Sequence, residues 1–117
     1  MGKGHGKGLY TILGEGTSFE GSIVVPHNII INGEFKGKID TSELITIGPL
    51  GVVKADIKAK SAIVGGIVIG NLVVEDRVEL ENDSSLTGDL RVRDLIINEG
   101  AIFHGNCSMN GSDSEKV

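Results

Sequence analysis

The sequence predicts an all-β fold, a parallel β-helix of about six coils, each with three short strands and three corners. Three observations predict it. A five-residue phrase (apolar, polar or variable, small, polar, apolar) occurs six times, with its central small residue at Gly21, Gly37, Ala55, Gly70, Gly88 and Gly105. The steps between these centres are 16, 18, 15, 18 and 17 residues, too short for two helices and their turns. The composition is 39% hydrophobic but only 3% aromatic, with 18 glycines and abundant Ile and Val, which favours strands and tight turns over helix.

Alternation sets the geometry of each phrase. Side chains on a strand change face at every residue, so the first, third and fifth positions share an apolar or glycine face. The second and fourth positions carry Glu20, Lys36, Lys38, Lys54, Asp56, Asp89 and Asn106, which belong in water; Ile69 is the exception. The small central residue is read as leaving room for large neighbours inside a narrow tube.

Residues 1–9 alternate glycine with Lys3, His5 and Lys7 and show no periodicity, which predicts a flexible tail. The first coil, 10–25, has a strand at Tyr10–Leu13, a corner at Gly14-Glu15-Gly16 and the phrase Phe19-Glu20-Gly21-Ser22-Ile23. The second, 27–41, has Asn28–Ile31, the corner Asn32-Gly33 and Phe35-Lys36-Gly37-Lys38-Ile39. The third, 43–59, has Leu44–Ile47, Gly48-Pro49-Leu50-Gly51 and Val53-Lys54-Ala55-Asp56-Ile57. The fourth, 61–74, has a strand at 62–64, Gly65-Gly66 and Val68-Ile69-Gly70-Asn71-Leu72. The fifth, 76–92, has a strand at 78–80, Asn82-Asp83 and Leu86-Thr87-Gly88-Asp89-Leu90. The sixth, 94–109, has a strand at 95–97, Asn98-Glu99-Gly100 and Phe103-His104-Gly105-Asn106-Cys107. Gly and Asn tolerate the left-handed backbone of a sharp corner, and the variable length of this corner accounts for the unequal steps. Residues 110–117 are polar and predict a short disordered tail.

Stacked in register, the phrases predict two apolar ladders. One joins Phe19, Phe35, Val53, Val68, Leu86 and Phe103; the other joins Ile23, Ile39, Ile57, Leu72, Leu90 and Cys107. A solenoid normally needs caps, because terminal coils otherwise expose core and unpaired strand edges. No amphipathic capping helix is written at either end. Leu13, Phe19 and Ile23 at the N-terminal coil, and Leu95, Ile97, Phe103 and Cys107 at the C-terminal coil, are therefore the candidate contact residues of an end-to-end polymer.

The chemistry-bearing residues do not form a catalytic pattern. His5, His27 and His104 are widely spaced, which argues against a metal site within one chain. Gly14-Glu15-Gly16 and Gly65-Gly66 do not open a helix whose N-terminus would hold a phosphate. Cys107 takes an inward position and reads as a small core residue rather than a nucleophile. A single cysteine forms no internal disulfide, so cytoplasm is the default compartment. No signal peptide is written, and no apolar run is long enough to span a bilayer. A formal charge of −5 argues against general nucleic-acid binding. Lys36, Lys38, Lys54, Lys58 and Lys60 read as a solvated outer face of mixed sign. Left-handed β-helix acyltransferases are the enzyme alternative. Those rest on strict six-residue units, which do not survive through residues 48–53 or 81–86, so the right-handed form is favoured.

The segments Thr11-Ile12-Leu13-Gly14-Glu15-Gly16-Thr17-Ser18-Phe19-Glu20-Gly21, Gly51-Val52-Val53-Lys54-Ala55-Asp56-Ile57-Lys58-Ala59 and Glu99-Gly100-Ala101-Ile102-Phe103-His104-Gly105 together resemble the bactofilins. The resemblance covers about residues 10–109. It implies a bacterial cytoskeletal protein, not an enzyme, with a right-handed, roughly triangular β-helix. Such proteins polymerise without nucleotide or other cofactor through their hydrophobic ends, head to head and tail to tail, into non-polar filaments. It also implies scaffolding of cell shape and of cell-wall enzymes, and assembly with other bactofilins. Residues 1–8 depart from the family's membrane-binding segment, having Lys3 and Lys7 but no bulky apolar residue before Leu9 and Tyr10. Contact with the inner face of the cytoplasmic membrane would then come from a heterotypic partner. The alternative function is a monomeric or small-oligomer binding module that docks a protein partner on its flat outer faces; a size measurement separates the two.

Overall fold

In the computed structural model, residues 10–109 are described, and they form a parallel β-solenoid of about six turns. The expected tails, 1–9 and 110–117, lie outside the described residues. The strands are β1 (Tyr10–Leu13), β2 (Ser18–Val25), β3 (Asn28–Ile31), β4 (Glu34–Thr41), β5 (Leu44–Ile47) and β6 (Val52–Val64). They continue as β7 (Ile67–Ile69), β8 (Leu72–Leu80), β9 (Ser85–Val92), β10 (Asp94–Ile97) and β11 (Ile102–Met109). Every strand pairing is parallel. The repeating unit is a strand of four residues followed by one of eight, as in β3 and β4 or β10 and β11.

Both expected ladders are present. Phe19 lies opposite Phe35, then come Val53, Val68, Leu86 and Phe103. Ile23 lies opposite Ile39, followed by Ile57, Leu72, Leu90 and Cys107. Further inward ladders come from the four-residue strands: Ile29, Ile45, Ala62 and Val78, and beside them Ile31, Ile47, Val64 and Leu80. All of these eight are buried. The aliphatic core therefore runs as columns along the solenoid axis, each residue resting on a similar one a rung below. Phe35 is the largest fully buried side chain, and its ring stacks on that of Phe19 with centroids 5.2 Å apart and planes 9° from parallel. Phe35→Ala should cost about 3–5 kcal/mol, read as a lowered urea midpoint, because stacked coils cannot collapse into the space it leaves.

The central glycine has a role that alternation alone does not reveal. Gly21, Gly37, Gly70, Gly88 and Gly105 all take positive φ, between 130° and 142°. A Cβ on Gly88 would run into the carbonyl oxygen of Gly70 in the coil below, and one on Gly37 would strike that of Gly21. The glycine bends the eight-residue segment and lets successive backbones approach; it does more than free volume for neighbours. Ala55 is the exception in kind, because it keeps negative φ.

The corners absorb the unequal steps. Four-residue corners at 14–17, 48–51, 81–84 and 98–101 each close with a bond from the fourth N–H to the first carbonyl, such as Gly51 N to Gly48 O at 2.9 Å. Two-residue corners at 32–33 and 65–66 replace them in the second and fourth coils. Bonds between rungs flank both kinds: Asn98 N donates to Leu80 O and Ile102 N to Ser84 O, each at 2.9 Å. A second corner also varies, by one residue. Glu75 and Asp76 form a bulge where β8 passes β6, opposite the register shift between Ala59 and Ser61.

Candidate polymerisation ends

The two ends of the solenoid differ from its middle because each terminal strand has a neighbour on one side only. Among the described residues β1 pairs with β3 alone and β2 with β4 alone, while β10 pairs with β8 and β11 with β9. Each end thus presents a row of backbone N–H and C=O groups with no strand partner among the described residues, a template for another strand.

The columns of the core surface at the same places. At the N-terminal end Leu13 and Ile23 are half-buried and pack on the core, and Phe19, resting on Phe35, is 38% exposed. Val25 joins them, a residue that the five-residue phrase missed although the alternation simply continues to it. At the C-terminal end Leu95 and Phe103 are half-buried against the core and Ile97 is 50% exposed. Ala101, at the last corner, also packs there and was not anticipated. Cys107 continues its ladder above Leu90 but is exposed, a correction to its reading as a core residue. Its position is inward, yet no described coil lies above it. Desolvation raises its pKa above the ordinary thiol value, so the thiol is not an activated nucleophile. Among the described residues each end is therefore an apolar plate rimmed by strand edges that pair on one side.

The titratable residues are dispersed. His27 Nε2 is 2.8 Å from Thr11 Oγ1, tying the second coil to the first, whereas His104 stands exposed on the outer side of the sixth. Among the described residues no group of three or more His, Cys, Asp or Glu is placed to hold a metal ion. Arg93 and Asp76 form the one ion pair among those residues, at 3.5 Å. The five lysines do not make a uniform basic strip: Lys38 lies opposite Asp56 and Lys58 opposite Asp40, although Lys36 is stacked on Lys54. No helix among the described residues is long and apolar enough to cross a membrane.

One outer wall carries two columns of outward side chains, one at the residue before each phrase and one at its second position. The first reads Ser18, Glu34, Val52, Ile67, Ser85, Ile102; the second reads Glu20, Lys36, Lys54, Ile69, Thr87, His104. Ile67 and Ile69 are each 42% exposed at mid-length, far from either end.

Comparison with known proteins agrees with this architecture. Residues 11–108 match the family model described as bactofilin, polymer-forming cytoskeletal. Bactofilin BacO of Myxococcus xanthus (strain DK1622) is 36% identical over 100 residues, which are 86% of this chain and 79% of that protein. The structure of the cytoskeletal bactofilin BacA, from solid-state NMR, superposes with a TM-score of 0.78 at 25% identity, over 88% of this chain and 98% of BacA. The Thermus thermophilus bactofilin, reconstructed by cryo-electron microscopy in double helical filaments, gives a TM-score of 0.81 at 27% identity over 86% of this chain and 99% of that one. With its coiled architecture and a family match spanning nearly the whole solenoid, the chain belongs to the bactofilins, a family of polymer-forming cytoskeletal proteins.

Proposed function

We propose that this chain polymerises end to end through its two terminal coils, head to head and tail to tail, into filaments that serve as a cytoskeletal scaffold. The observation that carries this reading is the pair of apolar plates, Leu13, Phe19 and Ile23 at one end and Leu95, Ile97 and Phe103 at the other, each bordered by open strand edges. Stacking like on like is isologous, so both contacts close on themselves and the filament has no overall polarity. Cys107 lies within the C-terminal contact. As in the T. thermophilus relative, two such filaments wind around each other. The scaffold positions cell-wall enzymes or other bactofilins in support of cell shape. It works in the cytoplasm, and contact with the membrane's inner face comes through such partners.

Apolar burial at roughly 25 cal/mol per Å² drives the association, and neither nucleotide nor metal takes part in it. Negative-stain electron microscopy of the purified chain should show long filaments. These should persist after dialysis into nucleotide-free buffer and against a strong chelator. A chain that sediments only as a monomer overturns the polymer reading; filaments that dissolve in either dialysis overturn the cofactor-free assembly.

A further inference from the structure

We infer that the wall bearing Ile67 and Ile69 is a second self-association surface, the one along which two filaments of this protein lie side by side. The inference rests on the end-to-end reading above and adds to it a lateral contact with named residues. Ile69 takes a position where other coils present Lys36, Lys54 or Thr87 to water. With Ile67 and the half-buried Val52 it makes an apolar strip in the middle of the molecule, where end-to-end stacking covers nothing. The strip recurs in every subunit of a filament.

The occupant is a second copy because the wall is complementary to itself. A two-fold axis parallel to the solenoid exchanges the two outward columns rung by rung. Ile67 then faces Ile69 of the opposite copy, and Glu34 faces Lys36 of the opposite copy, twice per rung by symmetry. The next rung brings Ser85 to Thr87, two small hydroxyl side chains that let the walls approach. Within one molecule Glu34 accepts a hydrogen bond from Ser18 Oγ at 3.2 Å, but neither Glu34 nor Lys36 forms an ion pair with another described residue. Lys36 stacks in register on Lys54, a like-charge contact that a carboxylate from the opposite copy offsets.

The test uses the full chain, with electron microscopy for strand number and mass per unit length for stoichiometry. Wild-type filaments should be paired. Ile69→Asp should leave filaments long but single, with mass per length reduced about two-fold, since only the lateral contact is removed. Glu34→Lys should also separate the strands by setting like charges across the contact. The double variant Glu34→Lys with Lys36→Glu should restore pairing, because exchanging the two columns keeps opposite charges face to face. That rescue would not follow from a merely structural role. Single wild-type filaments, pairing that survives Ile69→Asp, or a double variant that stays single overturns the lateral contact and leaves the end contacts standing. Absence of any wild-type filament overturns the end-to-end reading and this one with it.

Discussion

Phe103→Asp is expected to abolish filaments while leaving the solenoid folded. Phe103 tops a column of the core and has Leu86 beneath it but no described side chain above. In a tail-to-tail contact the other side of its ring meets the same plate of a second copy. The substitution puts carboxylates from both copies into a region that excludes water, and an unpaired buried charge costs about 3–5 kcal/mol, enough to prevent association. The expected product is a small species, a dimer through the untouched N-terminal plate, with an unchanged strand signal in circular dichroism. Because Phe103 also packs on the core, Ile97→Asp is the companion experiment: Ile97 is on the same plate, half exposed, and its loss strips less from the interior. Long filaments from both variants would remove the C-terminal plate from the polymer contact. If Phe103→Asp unfolds and Ile97→Asp gives a folded dimer, the plate stands and Phe103 is core as well as contact.

Gly88→Ala should be among the most damaging single methyl additions in the described solenoid. Its φ of 130° is one that side-chain-bearing residues rarely adopt, and the added Cβ would collide with the backbone of Gly70 in the adjoining coil. Gly105 sits over Gly88 in the same arrangement, so a shift of one rung propagates to the next. Backbone cannot give way as a flexible side chain can. A loss above about 4 kcal/mol is expected, among the largest that single substitutions cause. Urea titration in the Phe103→Asp background would read it on a non-polymerising species. Ala55→Gly is the control, since Ala55 holds the equivalent rung at negative φ; there the change should cost only about 0.5–1 kcal/mol. Parent-like stability for Gly88→Ala would mean that the bend at the phrase centre is not required.

The rungs were legible because period-two alternation and a recurring small residue fix both the face and the register of a strand. Val53 over Phe35 and Phe103 over Leu86 follow from aligning the phrases alone. The meaning of the central glycine was not legible. A small inward residue and a residue with positive φ look alike in sequence, and only Ala55, which keeps negative φ, shows that the two are different demands. The bulge at Glu75 and Asp76 was also hidden, because a charged pair at a corner carries no signal of register. Of the end residues, the aromatic and aliphatic ones could be named from the bare terminal coils. Val25 escaped because the phrase was cut at five positions while the strand continues for eight residues. The exposure of Cys107 follows from its place on the last coil rather than from its inward parity, and parity alone misleads at an end.

The corners of unequal length divide the molecule into regions with different freedom to change. An extra residue within a wall turns every following side chain to the opposite face, expelling core and burying charge. At the corner that holds Pro49 and Leu50, both exposed, the chain already takes either two or four residues in different coils while the rungs on either side stay bonded. Lineages can therefore drift in length along that ridge without altering the columns inside or the plates at the ends. The same tolerance makes this corner the natural place to graft a fluorescent or affinity tag, away from the terminal coils that the proposed end-to-end contacts would use.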